Sequence, residues 1–296
     1  MNDYTERQRS KWQRVAQTWY AARPPAIPSA QDLTAFATAL TEAQCRSAVA
    51  VLGCTPTLRA LTRELPEVSE CRLLVIDFLR EMYSASTAFC THNTRDEEFV
   101  CADWCATGIA EQSLDAVLGD KALDNIHPSR WRPFFREMSR VLRPEGALVI
   151  HVGLTDESSV ITSAEAALYM WASRYRDNTC SLDEATAGLW DDLLSASGDR
   201  GDKGTLSVSY WQPELSRLIA EAEGSSPQEG VMDPIAREVM RGFVNAFGST
   251  FEDIWADCRI LPVLDVATEF FSLWSIMYSA DYAKAEMQPI LTFRRK

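Results

Sequence analysis

Glycine is scarce in this chain, 13 residues in 296, and histidine scarcer still, at three. The shortage matters most where a strand runs into a helix. AVLGCTPTLRAL, residues 50–61, reads as such a turn, yet only Gly53 stands where dinucleotide-binding loops carry three glycines. A pyrophosphate must touch backbone N–H groups, and side chains at the second and third glycine positions block that approach. NAD and FAD are therefore disfavoured, and a nicotinamide oxidoreductase with them. No run of about 18 apolar residues occurs, so no membrane span is predicted. The charged opening MNDYTERQRSKWQRV lacks the apolar stretch of a secretory signal, and a cytoplasmic location is the expectation. Basic residues are outnumbered, 29 Lys and Arg against 42 Asp and Glu, and the net charge of −13 argues against a nucleic-acid partner. The eight cysteines form no C-x-x-C pair, and Cys101 and Cys105 have no H-x(3–5)-H to complete a zinc site. Reduced, mostly buried thiols are expected, with no metal.

What is present is enough apolar sequence, 46% of the residues, to bury a core. A first helix is expected over about Thr5 to Ala22, with Trp12, Ala16, Trp19 and Tyr20 on one face, followed by the extended RPPAIPS. A second is expected over about Ala30 to Ala43, with Ser29 as its N-cap. Then strands and helices alternate, the mark of a parallel sheet. The strands are SAVAVLG (47–53), CRLLVIDF (71–78), EEFVCADW (97–104), SLDAVLGD (113–120) and GALVIHVG (146–153). The helix in PSRWRPFFREMSRVLRPEG is expected to stop at Pro144 and Gly146. From 155 to 257 the pattern becomes helical: AEAALYMWASRY, LDEATAGLWDDLLS, QPELSRLIAEAE and PIAREVMRGFVNAF, with a polar, mobile-looking stretch at 197–209. CRILPVLDV and PILTFRR are expected to add two strands near the C-terminus, while FFSLWSIMY (270–278) is apolar enough for core or interface. The predicted fold is a doubly wound α/β sheet. The predicted divisions are an N-terminal helical segment at 1–44, an α/β domain at 45–154 with 258–296, and a helical cap at 155–257.

Ligands of open α/β sheets bind at the carboxyl ends of the strands, which makes the turn at Gly53 the place to look. S-adenosyl-L-methionine has no phosphate and asks less of such a loop. One glycine gives room for its methionyl group, and helix N-terminal N–H groups remain for an anion. Thr55 and Pro56 fit an N-cap and a first helical position. Asp77 ends the second strand, where a carboxylate can accept from both ribose hydroxyls. Asp103 can accept from an adenine amino group while Trp104 shields the ring face; core packing is the competing reading of Trp104.

VLGCTPTL, VIDF with Asp77 and Phe78, CADW with Asp103 and Trp104, SLDAVLGDKAL and VLRPEGALVIHV resemble, in order and spacing, the motifs of the class I S-adenosylmethionine-dependent methyltransferases. The resemblance covers about residues 45–152 well and 258–296 loosely. It implies a Rossmann-like, mostly parallel sheet with an antiparallel C-terminal strand, for which MQPILTFRRK would serve. It also implies S-adenosyl-L-methionine as cofactor, held by Gly53, Thr55, Asp77, Phe78, Asp103, Trp104 and Asp120. A subgroup similar to this chain carries a Trp- and Tyr-bearing helix ahead of the first strand, as W-x(6)-WY does here. The chain departs from the family in its single loop glycine, in Val51 or Ala50 where an acidic residue is usual, and in Lys121.

Methyl transfer is an in-line displacement in which the protein positions the nucleophile and excludes water. If the acceptor must lose a proton, the bases at hand are Asp120, at the end of the fourth strand, and His151, near the end of the fifth. Each has a structural alternative: orienting a loop or the cofactor for Asp120, a hydrogen-bonded core residue for His151. His127 reads as a cap beside Pro128, and His92 lies in a polar loop with no assigned role. Tyr20, Trp19, Trp171, Tyr175 and Trp211 are candidate substrate-lining aromatics, joined by Trp190 and Tyr210, and helical packing is the competing reading of each. The favoured function is methyl transfer to a small-molecule metabolite or natural-product intermediate. The alternative is a non-catalytic subunit of the same fold supporting a partner enzyme. The acceptor atom and oligomeric state stay open.

Overall fold

The computed structural model describes residues 24, 27–155, 161–197, 205–224, 232–249, 255–256, 258–282 and 285–296. The expected first helix, with Trp12, Ala16, Trp19 and Tyr20, lies outside the described residues. So does 198–204 within the stretch 197–209. Two compact units account for the rest, one within 155–257 and one built from 24–154 and 258–296.

The second of these units opens with α1, Ala30–Ala43. Its start is fixed by a reciprocal capping box: Asp32 N–H donates to the Ser29 hydroxyl, and Ser29 N–H to the Asp32 carboxylate. The alternation then unfolds as β1 (Ala48–Leu52), α2 (Pro56–Glu64), β2 (Arg72–Asp77), α3 (Arg80–Thr87), β3 (Glu97–Cys101), β4 (Leu114–Asp120), α4 (Trp131–Val141) and β5 (Leu142–His151). β1 is buried at all five residues and β5 from Gly146 to its end, as strands covered on both faces must be. After residue 257 come one helix and then two strands. All seven strands form one sheet in the order β3-β2-β1-β4-β5-β9-β8, where β8 is Phe271–Met277 and β9 is Ile290–Arg295. The first five run parallel, and β9 lies antiparallel between β5 and β8.

Two local expectations are corrected, and one segment left open takes a definite place. Residues 260–267 form a helix, not a strand, because Val263 and Ala267 fall four apart on one buried face. The apolar 270–278 supplies β8, paired on β9. The helix before β5 ends at Val141 rather than at Pro144: Pro144 disfavours a helical Arg143, and the strand starts at Leu142 with Glu145 in a left-handed kink (φ 63°).

The other unit is helical: α5 (Ala164–Arg176), α6 (Leu182–Ser195), α7 (Gln212–Glu223) and α8 (Pro234–Phe247), with a two-stranded ribbon of β6 (Thr205–Leu206) and β7 (Trp255–Ala256). It has a hydrophobic core of its own, in which Trp171, Leu189, Leu215, Met240 and Phe243 are buried. Gly188 lies against the Trp171 indole so closely that an added Cβ would stand 2.2 Å from Cζ2. The helix Ile260–Ala267 is α9. No helix among the described residues is long and apolar enough to cross a membrane. None of the eight cysteines is joined in a disulfide.

Candidate functional site

Register pairs Leu52 with both Ile76 and Gly119, and Asp120 with His151, so the ends of β1, β2, β4 and β5 meet at one edge of the sheet. Strand order reverses between β1 and β4, the position where open α/β sheets bind ligands.

Gly53 leaves β1 with φ +79°, and its N–H donates to Ile76 O at 2.8 Å. This left-handed backbone is the reason for glycine. Space is not limiting, since a Cβ there would meet Trp104 Cζ2 at an ordinary 3.7 Å. The Trp104 indole lies against the loop and donates through Nε1 to the same Ile76 carbonyl, at 2.7 Å. α2 starts with Pro56 in its first turn, and Thr55, at the N-cap, is buried but makes no side-chain cap. The hydroxyl of Thr57 is buried without a hydrogen-bond partner. The positive end of α2 thus opens beside Gly53 without a side-chain cap.

Asp77, at the end of β2, is buried. Its Oδ1 accepts Leu79 N–H at 2.8 Å and its Oδ2 the Cys54 thiol at 3.5 Å. Burial pushes its carboxyl up to about 6, against the downward pull of those donors. Burial likewise drives the Cys54 thiol far above its ordinary range, and Asp77 adds to it, so Cys54 stays a protonated donor. Phe78 is half-buried beside it. Asp103, just past β3, accepts Cys105 N–H at 2.9 Å and the Arg130 guanidinium at 2.6 Å. Desolvation raises its carboxyl, but Arg130 and Cys105 outweigh that and hold it below the usual range.

Asp120 and His151 end neighbouring strands, and Oδ1 of the carboxylate lies 2.8 Å from Nδ1 of the imidazole. Both side chains are buried, at 3% and 0% exposure. A proton on Nδ1 would be held by this carboxylate and would leave a lone pair on Nε2, which is what a general base oriented by a carboxylate requires.

His127 caps the short turn at Pro128–Arg130, its Nδ1 accepting Ser129 N–H at 3.3 Å. His92 is buried, with Nε2 2.6 Å from Glu97 Oε1, in a cluster where Arg59 also holds Glu97. Its burial could not be read from THNTRDEE, because Arg59 and Glu97 arrive from α2 and β3. Of the aromatic candidates, Trp19 and Tyr20 lie outside the described residues. Trp171 and Trp211 are sealed in the core of the helical unit, their indole N–H groups held by Asp192 (2.7 Å) and Leu193 O (2.8 Å). Trp190 packs in that core on Phe247, and Tyr175, at its margin, donates to Glu238 at 3.1 Å. Tyr210 is exposed. Three residues at the α/β edge carried no signal in the sequence: Cys54 on Asp77, Arg130 on Asp103, and Tyr282, whose hydroxyl is 3.4 Å from His151 Nε2.

A family model described as a methyltransferase domain matches residues 52–150, the segment holding β1 to β5 and the loops just described. No curated protein matches the chain. Among solved structures, a Rhodobacter sphaeroides protein named for the zinc-dependent alcohol dehydrogenases is similar over 100% of both chains, at 18% identity and a TM-score of 0.58. The 1,6-didemethyltoxoflavin-N1-methyltransferase of Burkholderia thailandensis, solved with 1,6-didemethyltoxoflavin and S-adenosylhomocysteine, is 11% identical over 100% of this chain and 92% of that one, at 0.52. The PH0226 protein of Pyrococcus horikoshii OT3 is 12% identical over 94% of this chain and 98% of that one, at 0.51. At such identities these likenesses speak for the fold alone, whatever the proteins are named. The matched domain, the strand order and the resemblance of the motifs agree: residues 52–150 form a methyltransferase domain, similar to those of the class I S-adenosylmethionine-dependent enzymes.

Proposed function

We propose that this methyltransferase acts on a small molecule whose acceptor atom gives up a proton, with Asp120 and His151 as the base. The observation that carries this reading is the buried 2.8 Å contact between them at the ends of β4 and β5. The 1,6-didemethyltoxoflavin bound to the Burkholderia thailandensis neighbour is a small molecule, which supports the same substrate class.

The chain's own groups fit the cofactor. Asp77 offers a carboxylate for a ribose diol, on condition that the Cys54 thiol yields its place. The α2 N-terminus, with the unpartnered Thr57 hydroxyl and with Gly53 and Thr55 beside it, suits a carboxylate. Asp103, Trp104 and Phe78 are assigned to the adenine, and Asp120 stands at the methyl end. Once bound, the cofactor supplies an electrophilic methyl group on a sulfonium and leaves as a neutral thioether. The imidazole of His151 takes the acceptor's proton, and Asp120 stabilises the imidazolium that results. Tyr20 and Trp19 remain the proposed aromatic contacts to the acceptor.

The test is methyl transfer from labelled S-adenosylmethionine to a small-molecule panel, run with His151→Gln. Loss of the base should lower kcat by about 10²–10⁴. Affinity for S-adenosylhomocysteine, measured by calorimetry, should stay within about threefold. An unimpaired rate removes His151 as the base.

A further inference from the structure

The paired backbone of β5 does not stop at His151. Val152 N–H donates to Pro289 O at 3.0 Å and Leu154 N–H to Met287 O at 2.8 Å, so the chain runs on beside the approach to β9. His151 and Gly153, two residues apart, therefore point to one face of the sheet. Ile290 stands opposite His151, which places Gln288, two residues before it, opposite Gly153 on that face. One step outward from Asp120 and His151 there is thus a second row, and its centre is a glycine.

Three polar atoms close around that centre. A Cβ on Gly153 would stand 2.7 Å from Asp124 Oδ2, 3.0 Å from Lys121 Nζ and 3.2 Å from Gln288 Oε1, so any side chain there would displace them. Asp124 is buried, and its two oxygens accept Gly153 N–H at 3.2 and 3.1 Å. Burial raises its carboxyl, and the nearby Lys121 ammonium pulls it back in part. Lys121 holds left-handed backbone (φ 54°), which residues other than glycine rarely take, and its N–H donates to His151 O at 3.0 Å. Gln288 is the misfit. It is 6% exposed, and its Oε1 is buried without a hydrogen-bond partner. A buried acceptor in that condition costs free energy until a donor reaches it. Lys121 and Gly153 are only half-buried, which leaves the row open on their side.

We propose that Lys121 and Gln288 determine specificity by reading a methyl acceptor that carries a carbonyl oxygen next to an N–H, the edge of a lactam or cyclic imide. The Lys121 ammonium donates to the carbonyl oxygen, and the ligand N–H donates to Gln288 Oε1. Both protein atoms lie within 3.2 Å of one point, close enough to meet adjacent atoms of one ring. Solvent can serve each group singly, but only a ligand with both functions side by side serves them together. The proposal rests on the reading that the acceptor lies at the ends of β4 and β5, and it adds what that acceptor must present.

The experiment titrates uracil, whose ring carries this edge, into the full chain saturated with S-adenosylhomocysteine, and follows binding by NMR. 1,3-Dimethyluracil is the control, since it keeps both carbonyls and has no N–H. Uracil should saturate the protein at millimolar concentration, and the dimethyl compound should bind at least about tenfold more weakly. Gln288→Met removes the unpartnered oxygen with little change in size. It should weaken uracil about tenfold and erase the difference between the two probes. Lys121→Met should weaken both probes about tenfold. Affinity for S-adenosylhomocysteine should stay within about threefold in each variant, which shows that the fold is intact. If Gln288→Met does not fold, Lys121→Met decides alone. Uracil that does not saturate, or that binds no better than its dimethyl counterpart, overturns the proposal, and so does a folded variant that binds uracil as the parent does. The rate test on His151→Gln uses neither probe, so the base and the recognition edge fail separately.

Discussion

Asp77→Asn should make the unliganded protein more stable and its cofactor binding worse, and the two effects have one cause. The Asp77 carboxyl is buried at the end of β2 and raised from an ordinary 3.8 to about 6, chiefly by desolvation. A raised carboxyl means that the folded state favours the protonated form. The stability it allows is fully present below about pH 4 and is lost as pH rises through about 6. At about 1.4 kcal/mol per decade, the displacement corresponds to a penalty on the order of 3 kcal/mol at pH 7.5. Leu79 N–H and the Cys54 thiol recover part of the charge solvation and are already included in that balance. Asparagine has the same shape, keeps an acceptor for Leu79 N–H and carries no charge. Asp77→Asn should therefore raise Tm by a few degrees at pH 7.5, from about 1–3 kcal/mol, and by almost nothing at pH 4. The ionised carboxylate is also what a ribose diol would bind, through hydrogen bonds worth roughly 1–3 kcal/mol. Affinity for S-adenosylhomocysteine should fall about 10–100-fold in the variant. In the unaltered protein that affinity should weaken as pH drops below about 6, and in the variant this dependence should vanish. Scanning calorimetry at two pH values and titration calorimetry across pH measure the four quantities. A variant no more stable at pH 7.5 than the parent refutes the desolvation argument. Unchanged affinity removes Asp77 from the site.

Two further outcomes follow from packing and pairing away from that edge. Glu137 is nine-tenths buried and accepts Thr107 N–H (2.8 Å), the Thr107 hydroxyl (2.6 Å) and two Arg140 donors (2.8 and 2.7 Å); Arg140 above all holds its carboxyl down at about 2. Glu137→Gln should cost about 1–3 kcal/mol at pH 7. The stabilisation is present above about 4.5 and is lost as pH falls toward 2, so the difference from the parent in urea midpoints should shrink on acidification. Gly188→Ala sets two effects against each other in α6. Alanine gains up to about 1 kcal/mol in helix propensity, but its Cβ would stand 2.2 Å from a Trp171 ring that is buried and tied to Asp192. Overpacking of about 1–3 kcal/mol should win, and a rise in melting temperature would show that the indole can move.

Much of the fold is legible because local signals agree with the tertiary result. The bounds of α6, α7 and α8 coincide with the amphipathic stretches LDEATAGLWDDLLS, QPELSRLIAEAE and PIAREVMRGFVNAF. Ser181 closes a capping box on α6, and prolines sit in the first turns of the other two. The five parallel strands are short valine-, leucine- and isoleucine-rich runs bounded by turn residues. Legibility fails where a distant partner decides. ILPVLDVA has the composition of a strand and the length of two helical turns, and only the burial of Val263 and Ala267 selects the helix. FSLWSIM becomes a strand because β9 lies beside it, a pairing between segments that no local pattern announces.

The site divides along the same line. The placing of Gly53, Asp77, Asp120 and His151 at or just past strand ends could be read from the sequence, because strand ends are what periodicity marks. The groups that set how those residues behave come from elsewhere. Cys54 shares the Asp77 carboxylate from across 23 positions, and Tyr282 reaches His151 from across 131. Asp32 shows the limit most sharply. In the sequence it is the third residue of a capping box, and that role is real; both reciprocal bonds form. Yet a capping carboxylate is usually at the surface, where water completes its shell. This one is fully buried, so its second oxygen must be satisfied by protein, by the Ser279 hydroxyl at 2.5 Å. One oxygen, Oδ2, starts α1, and the other, Oδ1, ties that start to Ser279 just after β8. Local rules identify what a side chain does for its own helix, and only burial shows what else it is obliged to bind.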